Sequence, residues 1–369
     1  MSHIAIDARI INSTTGRYVE RLLHYLQKID DVNEYTVLVR AKDKDYWQPT
    51  AKNFTVKIAD FHQYSFNEQF GLKKLLDELA PDLMHFCMPQ QPIFYKGDKV
   101  TTIHDLTLLK VYSSDKNWIV YHFKQLVGHF VFKRVIATSR HIITGTDFSK
   151  NEIIEFSGRA KDKISTIPLA ADISSDATAP YDLPFKQFIM YVGQQSDYKN
   201  IKRLGAAHQR LIKKYPDLGL VLVGSKNDSA KINEDYFTDK GYKNILFTGF
   251  LPDAELNSLY SKTAAYVFPS LMEGFGLPAL EAMGHGAPVV SSNATCLPEV
   301  YGGAAHYFDP SDTTDIARAI DEVLENEDLR SNLIKEGHKQ FKKYSWRKTA
   351  EKTHQIYIDA LIDNPEDKA

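Results

Sequence analysis

Residues 164–204, ISTIPLAADISSDATAPYDLPFKQFIMYVGQQSDYKNIKRL, decide how the chain is organised. They open on a β-branched run, Ile164–Pro168, at which a strand–helix rhythm begun at the N-terminus stops. Ile173–Pro184 then carries Asp176, Pro180, Asp182 and Pro184 and few large apolar groups, which is linker composition. Phe188–Val192 turns apolar again and predicts a strand, and Asn200–Lys214 predicts a helix. Upstream, His3–Ile6, Tyr35–Val39, Leu83–Phe86 and Val100–Ile103 read as buried strands. Between them Val19, Leu22, Leu23 and Leu26 fall on one helix face, and Phe66–Leu79 reads as a helix stopped before Pro81. Downstream, Leu218–Val223, Ile245–Thr248 and Ala264–Phe268 predict strands. Thr313–Glu325, Leu329–Phe341 and Trp346–Ile362 predict three closing helices. Strands alternating with helices mean a parallel sheet covered on both faces. The expected architecture is therefore α/β: two Rossmann-like doubly wound domains facing a central cleft. The expected bounds are 1–172 for the first domain, a linker at 173–186, 187–345 for the second domain, and a helix at 346–369 that is a candidate to cross back to the first domain. Ligands on such sheets bind at the carboxyl ends of the strands.

Length and composition agree. A chain of 369 residues is about two domains at roughly 150 residues each. A hydrophobic fraction of 43% against 25% charged residues excludes disorder for most of it. Lys and Arg number 45 and Asp and Glu 47, a net charge of −2, so no global field draws the chain to nucleic acid. Cys87 and Cys296 match no metal or redox spacing and read as reduced thiols of a cytoplasmic protein. The N-terminus lacks the apolar run of a signal peptide, and no run of 18 apolar residues is present.

The chemistry concentrates in residues 264–299, AAYVFPSLMEGFGLPALEAMGHGAPVVSSNATCLPE. A strand ends at Pro269, and a loop with Gly274 and Gly276 leads to Pro278, which suits a first helical position. Small residues let a ligand approach the backbone, and free helix N–H groups favour an anion. Glu273 precedes the turn and Glu281 lies in the helix's first turns. Carboxylates accept hydrogen bonds from hydroxyls, so the pair suits a ligand both anionic and hydroxylated, as a nucleotide-sugar is. The bland alternative gives Glu281 to the helix dipole and Glu273 to the solvent. At Tyr191–Asn200 a strand ends at Gly193, and Lys199, a compact cation suited to a diphosphate, opens a helix. Val100–Leu106 delivers His104 and Asp105 to the end of another strand. Near the N-terminus Gly16 starts a helix behind Thr14 and Thr15, without a dinucleotide fingerprint. H-E-x-x-H is not present, and no metal site is expected.

Glu273-Gly-Phe-Gly-Leu-Pro278 followed by Glu281 resembles the glutamate-seven-residues-glutamate motif of retaining glycosyltransferases with the GT-B fold, glycosyltransferase family 4. Ala287–Val290 and Leu297–Glu299 are similar to the same family, and the resemblance covers essentially the whole chain. It leans towards members that transfer mannose or rhamnose in surface-polysaccharide assembly. It implies catalytic roles for His104 beside the reacting centre, Lys199 on the leaving diphosphate and Glu273 on the donor sugar. It implies donor binding by Gly16, Gly193, Lys199, Arg203, the loop Gly274, Phe275, Gly276 and Leu277, and Glu281 on the ribose. Asp105, Lys110 and Tyr112 fall on the acceptor side. Where the family has an arginine before the lysine, this chain has Tyr198, and Arg203 one turn on is the candidate replacement. The expected activity is transfer of a hexose from a GDP-, UDP- or dTDP-sugar to a hydroxyl of a glycan or lipid-linked glycan, without a cofactor or metal. The alternatives are a nucleotide-sugar epimerase or hydrolase on the same fold, and a non-catalytic nucleotide-sugar or glycan binder. Residues 111–134 are rich in Trp, Tyr, Phe, Lys and Arg and are the candidate for peripheral contact with the inner face of a membrane.

Overall fold

The computed structural model describes residues 1–13, 15–63, 65–110, 118–159, 161–173 and 178–362, without the side chains of 118–124. The chain divides into two compact units, Met1–Leu169 with Ser345–Ala369, and Ala170–Tyr344. The first contains strands β1 (His3–Asp7), β2 (Glu34–Val39), β3 (Phe54–Ile58), β4 (Leu83–Phe86), β5 (Lys99–Thr102), β6 (His141–Thr144) and β7 (Ile164–Thr166). Its helices are α1 (Gly16–Ile29), α2 (Lys73–Leu79), α3 (Thr107–Lys110), α4 (Trp118–Thr138) and α5 (Asp147–Ser157). The second contains β8 (Gln187–Val192), β9 (Leu218–Val223), β10 (Ile245–Gly249), β11 (Ala265–Phe268), β12 (Val289–Ser292) and β13 (Ala305–Phe308). Its helices are α6 (Ile201–Leu211), α7 (Asp228–Asp239), α8 (Asp253–Lys262), α9 (Leu277–Gly284), α10 (Leu297–Tyr301), α11 (Thr313–Glu325) and α12 (Glu327–Phe341). The last helix, α13 (Trp346–Ile362), belongs to the first unit.

Both sheets are parallel throughout. The first has the order β3-β2-β1-β4-β5-β6-β7 and the second β10-β9-β8-β11-β12-β13. Each order reverses direction once, between β1 and β4 and between β8 and β11, and a doubly wound sheet opens its ligand crevice at that point. Strands covered on both faces read as unbroken apolar runs, which is why Leu218–Val223 is buried at every position. Helix α1 instead buries one stripe, Val19, Leu22, Leu23 and Leu26. Asn227, Asp312 and Asn326 cap α7, α11 and α12 with side-chain oxygens that accept backbone N–H groups.

Helix α13 packs against α1, and its Thr349 hydroxyl donates to the Pro168 carbonyl at 2.7 Å. The middle of the expected linker is tied to the second unit, where the Ala179 N–H donates to the Ala254 carbonyl at 3.0 Å. The structure departs from the sequence reading at Phe66–Leu79. There a π turn, Glu68–Leu72, precedes α2. Strands β3, β6, β12 and β13 were not among those expected.

Candidate active site

The reversal in the second sheet builds the site. The loop after β8 carries Lys199 and the loop after β11 carries Glu273, and the two side chains meet at 2.5 Å between Nζ and Oε1. They are only 14% and 12% exposed, so the pair is held largely out of water. Burial works against the Lys199 charge, but the adjacent Glu273 carboxylate outweighs it and raises the ammonium above its ordinary range. Two rings support the same ammonium: Tyr198 at 4.9 Å and Phe268 at 5.7 Å from ring centroid to Nζ. At the position where the family resemblance places arginine, the aromatic face of Tyr198 thus cradles Lys199.

The next residue fixes the lysine's loop. Asn200 has a left-handed backbone, φ +63°, which asparagine tolerates. Its buried Nδ2 donates to the carbonyls of Pro269 at 3.0 Å and Pro310 at 2.8 Å, tying the β8 loop to the β11 loop. Arg203 Nη1 donates to Asn200 Oδ1 at 2.9 Å, so this guanidinium supports the clamp. The Leu271 N–H adds a bond to the Tyr198 carbonyl at 2.8 Å. Gly193 closes β8 through its N–H on the Val223 carbonyl at 2.9 Å. On the same two loops the buried side chains of Gln195 and Ser270 hold Oε1 and Oγ atoms without a partner among the described residues. Buried polar groups are normally satisfied, so these point to a polar guest.

The Glu273 backbone is pinned from the other side. Its N–H donates to Thr295 Oγ1 at 3.3 Å, and its carbonyl accepts from Cys296 Sγ at 3.2 Å. Gly276 precedes α9 with φ +90°, and a β-carbon there would lie 2.1 Å from the Tyr301 hydroxyl. That hydroxyl donates to the Gly276 carbonyl at 2.7 Å. Phe275 turns its ring inward, edge-on to Tyr344 at 5.5 Å, leaving only its backbone to serve a ligand. Leu277 is the first residue of α9 and Glu281 lies in its second turn, half-buried.

The first unit carries its own polar centre. His104 follows β5, and its Nε2 is shielded from solvent without a partner among the described residues. Burial pushes the imidazole pKa down against the opposing pull of Asp105, which favours the neutral ring. The Tyr18 ring meets His104 edge-on, centroids 5.0 Å apart. Tyr18 is itself anchored through Thr102 Oγ1 at 2.9 Å, and Thr102 shares a 2.9 Å bond with His85 Nε2. His85 Nδ1 reaches the Tyr357 hydroxyl of α13 at 2.5 Å, so a buried chain runs from the last helix to the histidine. Asp105 Oδ1 accepts the Thr107 N–H at 2.7 Å at the start of α3. Lys110 is paired with Glu152 on α5. Tyr112 and Thr14 lie outside the described residues. Gly16 starts α1 where a β-carbon would fall 1.9 Å from the Ile11 carbonyl oxygen, so close backbone packing alone demands glycine there. At the end of β1 Asp7 binds Arg9, with 2.7 Å between Oδ2 and Nη2, and Arg9 also pairs with buried Glu68 at 2.9 Å.

Sequence reasoning missed Asn200, Thr295, Tyr301 and the Tyr18–His85–Tyr357 chain. Asn200 beside Lys199 was the readable signal. The others become visible only when distant segments meet. Among the described residues no three His, Cys, Asp or Glu side chains gather as metal ligands, and no helix is long and apolar enough to cross a membrane. In the segment 111–134, Phe132 on α4 is buried, whereas Leu126, Val127 and Phe130 are exposed.

The chain is similar to known proteins. A family model described as glycosyl transferases group 1 matches residues 183–340, which include Lys199, Glu273 and Glu281. The O-antigen chain mannosyltransferase B of Escherichia coli is 32% identical over 273 residues, 70% of this chain and 69% of that protein. The serotype-specific mannosyltransferase WbdA of Escherichia coli is 27% identical over 94% of this chain, which spans only 44% of WbdA. Among solved structures, a sucrose-phosphate synthase from Thermosynechococcus elongatus superposes with a TM-score of 0.77 at 18% identity, covering 99% of this chain and 100% of that one. Anabaena HepE in complex with UDP and glucose gives 0.73 at 16% identity, covering 97% and 99%. These likenesses establish two Rossmann-like units of the GT-B type. With a 32% identical relative covered over more than two thirds of its length, the chain belongs to the group 1 glycosyltransferases.

Proposed function

We propose that this glycosyltransferase is a retaining, metal-independent hexosyltransferase of family 4. In this reading it moves mannose from a nucleoside-diphosphate donor to a glycan hydroxyl in cell-surface polysaccharide synthesis. The observation that carries the reading is the Lys199–Glu273 pair at the strand-order reversal. Each partner suits one part of a nucleotide-sugar: the ammonium takes the diphosphate and the carboxylate takes sugar hydroxyls. The unpartnered Gln195 and Ser270 atoms on the same loops support a polar occupant. The mannosyltransferase names of the relatives support the sugar. Glu281 accepts from the ribose diol, and the backbone of Gly274, Phe275, Gly276 and Leu277 lines the donor.

The acceptor oxygen attacks the anomeric carbon on the face from which the diphosphate leaves. The bond from that carbon to the phosphate oxygen breaks as the new glycosidic bond forms, and the acceptor proton passes to the departing phosphate. Lys199 stabilises the charge developing there. His104 of the first unit, whose burial favours the neutral ring and whose Nε2 has no partner among the described residues, serves the reacting centre, and Asp105, Lys110 and Tyr112 serve the acceptor side. The reading assigns no resident cofactor. It places the reaction at the cytoplasmic face of a membrane, with residues 111–134 as the contact. The test is a panel of GDP-, UDP- and dTDP-sugars, read first by thermal stabilisation and then by transfer to mannose oligosaccharides. Proton NMR of the new anomeric centre should show the donor's configuration kept. An inverted product, or free sugar formed equally fast without acceptor, would overturn the reading. Glu281→Gln should weaken binding of free nucleoside diphosphate as well as donor, because a charge-assisted hydrogen bond is worth about 1.5–3 kcal/mol.

A further inference from the structure

The first unit exposes three phenylalanines: Phe66 at 85%, Phe70 at 66% and Phe94 at 53%. Phe66 and Phe70 stand four residues apart on the helical segment that runs through the π turn Glu68–Leu72. Phe94 stands in the loop after β4. Gln69 laces the two segments together. Its Nε2 donates to the Gln91 carbonyl at 3.1 Å, and its Oε1 accepts the Ile93 N–H at 3.0 Å. This sets Phe70 and Phe94 on neighbouring strips of surface. Both strips follow the carboxyl ends of strands, β3 and β4, and that is the edge of the sheet where His104 follows β5.

A second observation points to a hydroxylated guest. Gln91 is buried; its Nε2 donates to Thr101 Oγ1 at 3.1 Å, and its Oε1 has no partner among the described residues. Most charges of these segments are already balanced. Lys73 pairs with Asp77, Lys74 with Glu78, and Arg9 with Asp7 and Glu68. A strip of aromatic faces and amides whose one unpaired cation among these described residues is Lys96 carries too little positive charge to suit an anionic membrane or a nucleic acid. It is matched to a neutral polyol. The C–H faces of a pyranose are apolar and weakly positive, and the face of a phenyl ring is apolar and weakly negative.

We propose that Phe66, Phe70 and Phe94 form a binding strip for the glycan chain of the acceptor, with successive sugar units stacking on the rings. The inference rests on the reading of this chain as a sugar transferase to a glycan hydroxyl, and it adds where the polymer is held. Several weak stacking contacts in a row make affinity grow with chain length, as linked sites do.

The experiment measures binding without donor, so that it is independent of turnover. Mannose, glucose and galactose oligosaccharides of one to six units are titrated into the full chain by calorimetry. The same titration is made with the Phe66→Ala/Phe70→Ala/Phe94→Ala variant and with Phe70→Trp. At least one series should bind more tightly as it lengthens. The triple variant should lose at least tenfold for the longest member while melting temperature and nucleoside-diphosphate affinity stay unchanged, and Phe70→Trp should bind at least as well as wild type. Equal binding by the triple variant, or no length dependence in any series, overturns the strip. So does Phe-dependent sedimentation with phosphatidylglycerol vesicles, which would assign the rings to a membrane. Length-dependent binding that needs the rings, in a chain that transfers no sugar, would keep the strip and remove the transferase reading.

Discussion

Lys199 and Glu273 neutralise one another in the ligand-free chain, so an arriving diphosphate must share the ammonium with a carboxylate already bonded to it. This predicts opposite outcomes for the two partners. Lys199→Ala should lower turnover by about two orders of magnitude, the scale for losing one electrostatic stabiliser at the departing charge. Glu273→Gln should melt earlier when empty, because an unpaired buried charge costs about 3–5 kcal/mol. Nucleoside diphosphate should then raise its melting temperature more than that of wild type, since phosphate replaces the lost counter-charge. A smaller rise than in wild type would show that Lys199 does not meet the phosphates. His104 has a different signature. If its open Nε2 serves the reacting centre, His104→Ala should keep melting temperature and nucleotide affinity while losing transfer. A lowered melting temperature with proportionate loss of both functions would make the imidazole a packing residue of the Tyr18 cluster.

At the scale of elements the sharpest constraint is the turn into α9. Gly276 combines φ +90° with a site for a β-carbon only 2.1 Å from the Tyr301 hydroxyl, so Gly276→Ala must strain the backbone and displace the ring. Backbone strain of this kind costs about 1–3 kcal/mol. Denaturant unfolding should report a loss of that size together with weaker nucleotide binding, and a change below about 0.5 kcal/mol would remove the turn as a fixed element. The glycines, Pro278 and the two glutamates were legible because the chemistry of this turn is local to the nine residues Glu273–Glu281. Leu218–Val223 was legible to the residue because a strand buried on both faces leaves an unbroken apolar run, and Leu83–Phe86 because large apolar residues flank its single polar one, His85. Phe54–Ile58 was not, since an edge strand with Lys57 and an exposed Ile58 has the look of a polar segment. His141–Thr144 and Ala305–Phe308 were hidden by histidines whose partners, Ser165 and Glu322, come from elsewhere in the chain.

For the molecule as a whole, both units hold histidines whose burial keeps them neutral, and this sets how stability responds to acid. In the first unit His85 is pushed down to about 3 by burial, with nearby His104 adding to the shift. In the second, His208 is pushed down to about 4 by burial, partly opposed by its bond to the Leu218 carbonyl. An unfolded histidine takes up its proton near pH 6.5. Between that value and the lower folded values the unfolded chain binds more protons than the native one, so stability rises with pH there. The two histidines should therefore leave stability level above about pH 7 and reduce it as pH falls below about 6.5, each by up to about 1.4 kcal/mol per unit. The contribution of His208 should fall away across pH 6.5 to 4, and that of His85 should go on falling towards pH 3. His208→Gln isolates one of them. The amide can still donate to the Leu218 carbonyl but does not titrate. Denaturant midpoints of wild type and variant, measured at pH 7.5, 6, 5 and 4.5, should converge as the pH falls, because the variant lacks one of the acid-sensitive groups. Parallel curves would mean that His208 takes up its proton as readily in the folded chain as in the unfolded one, and that acid sensitivity of the second unit originates elsewhere.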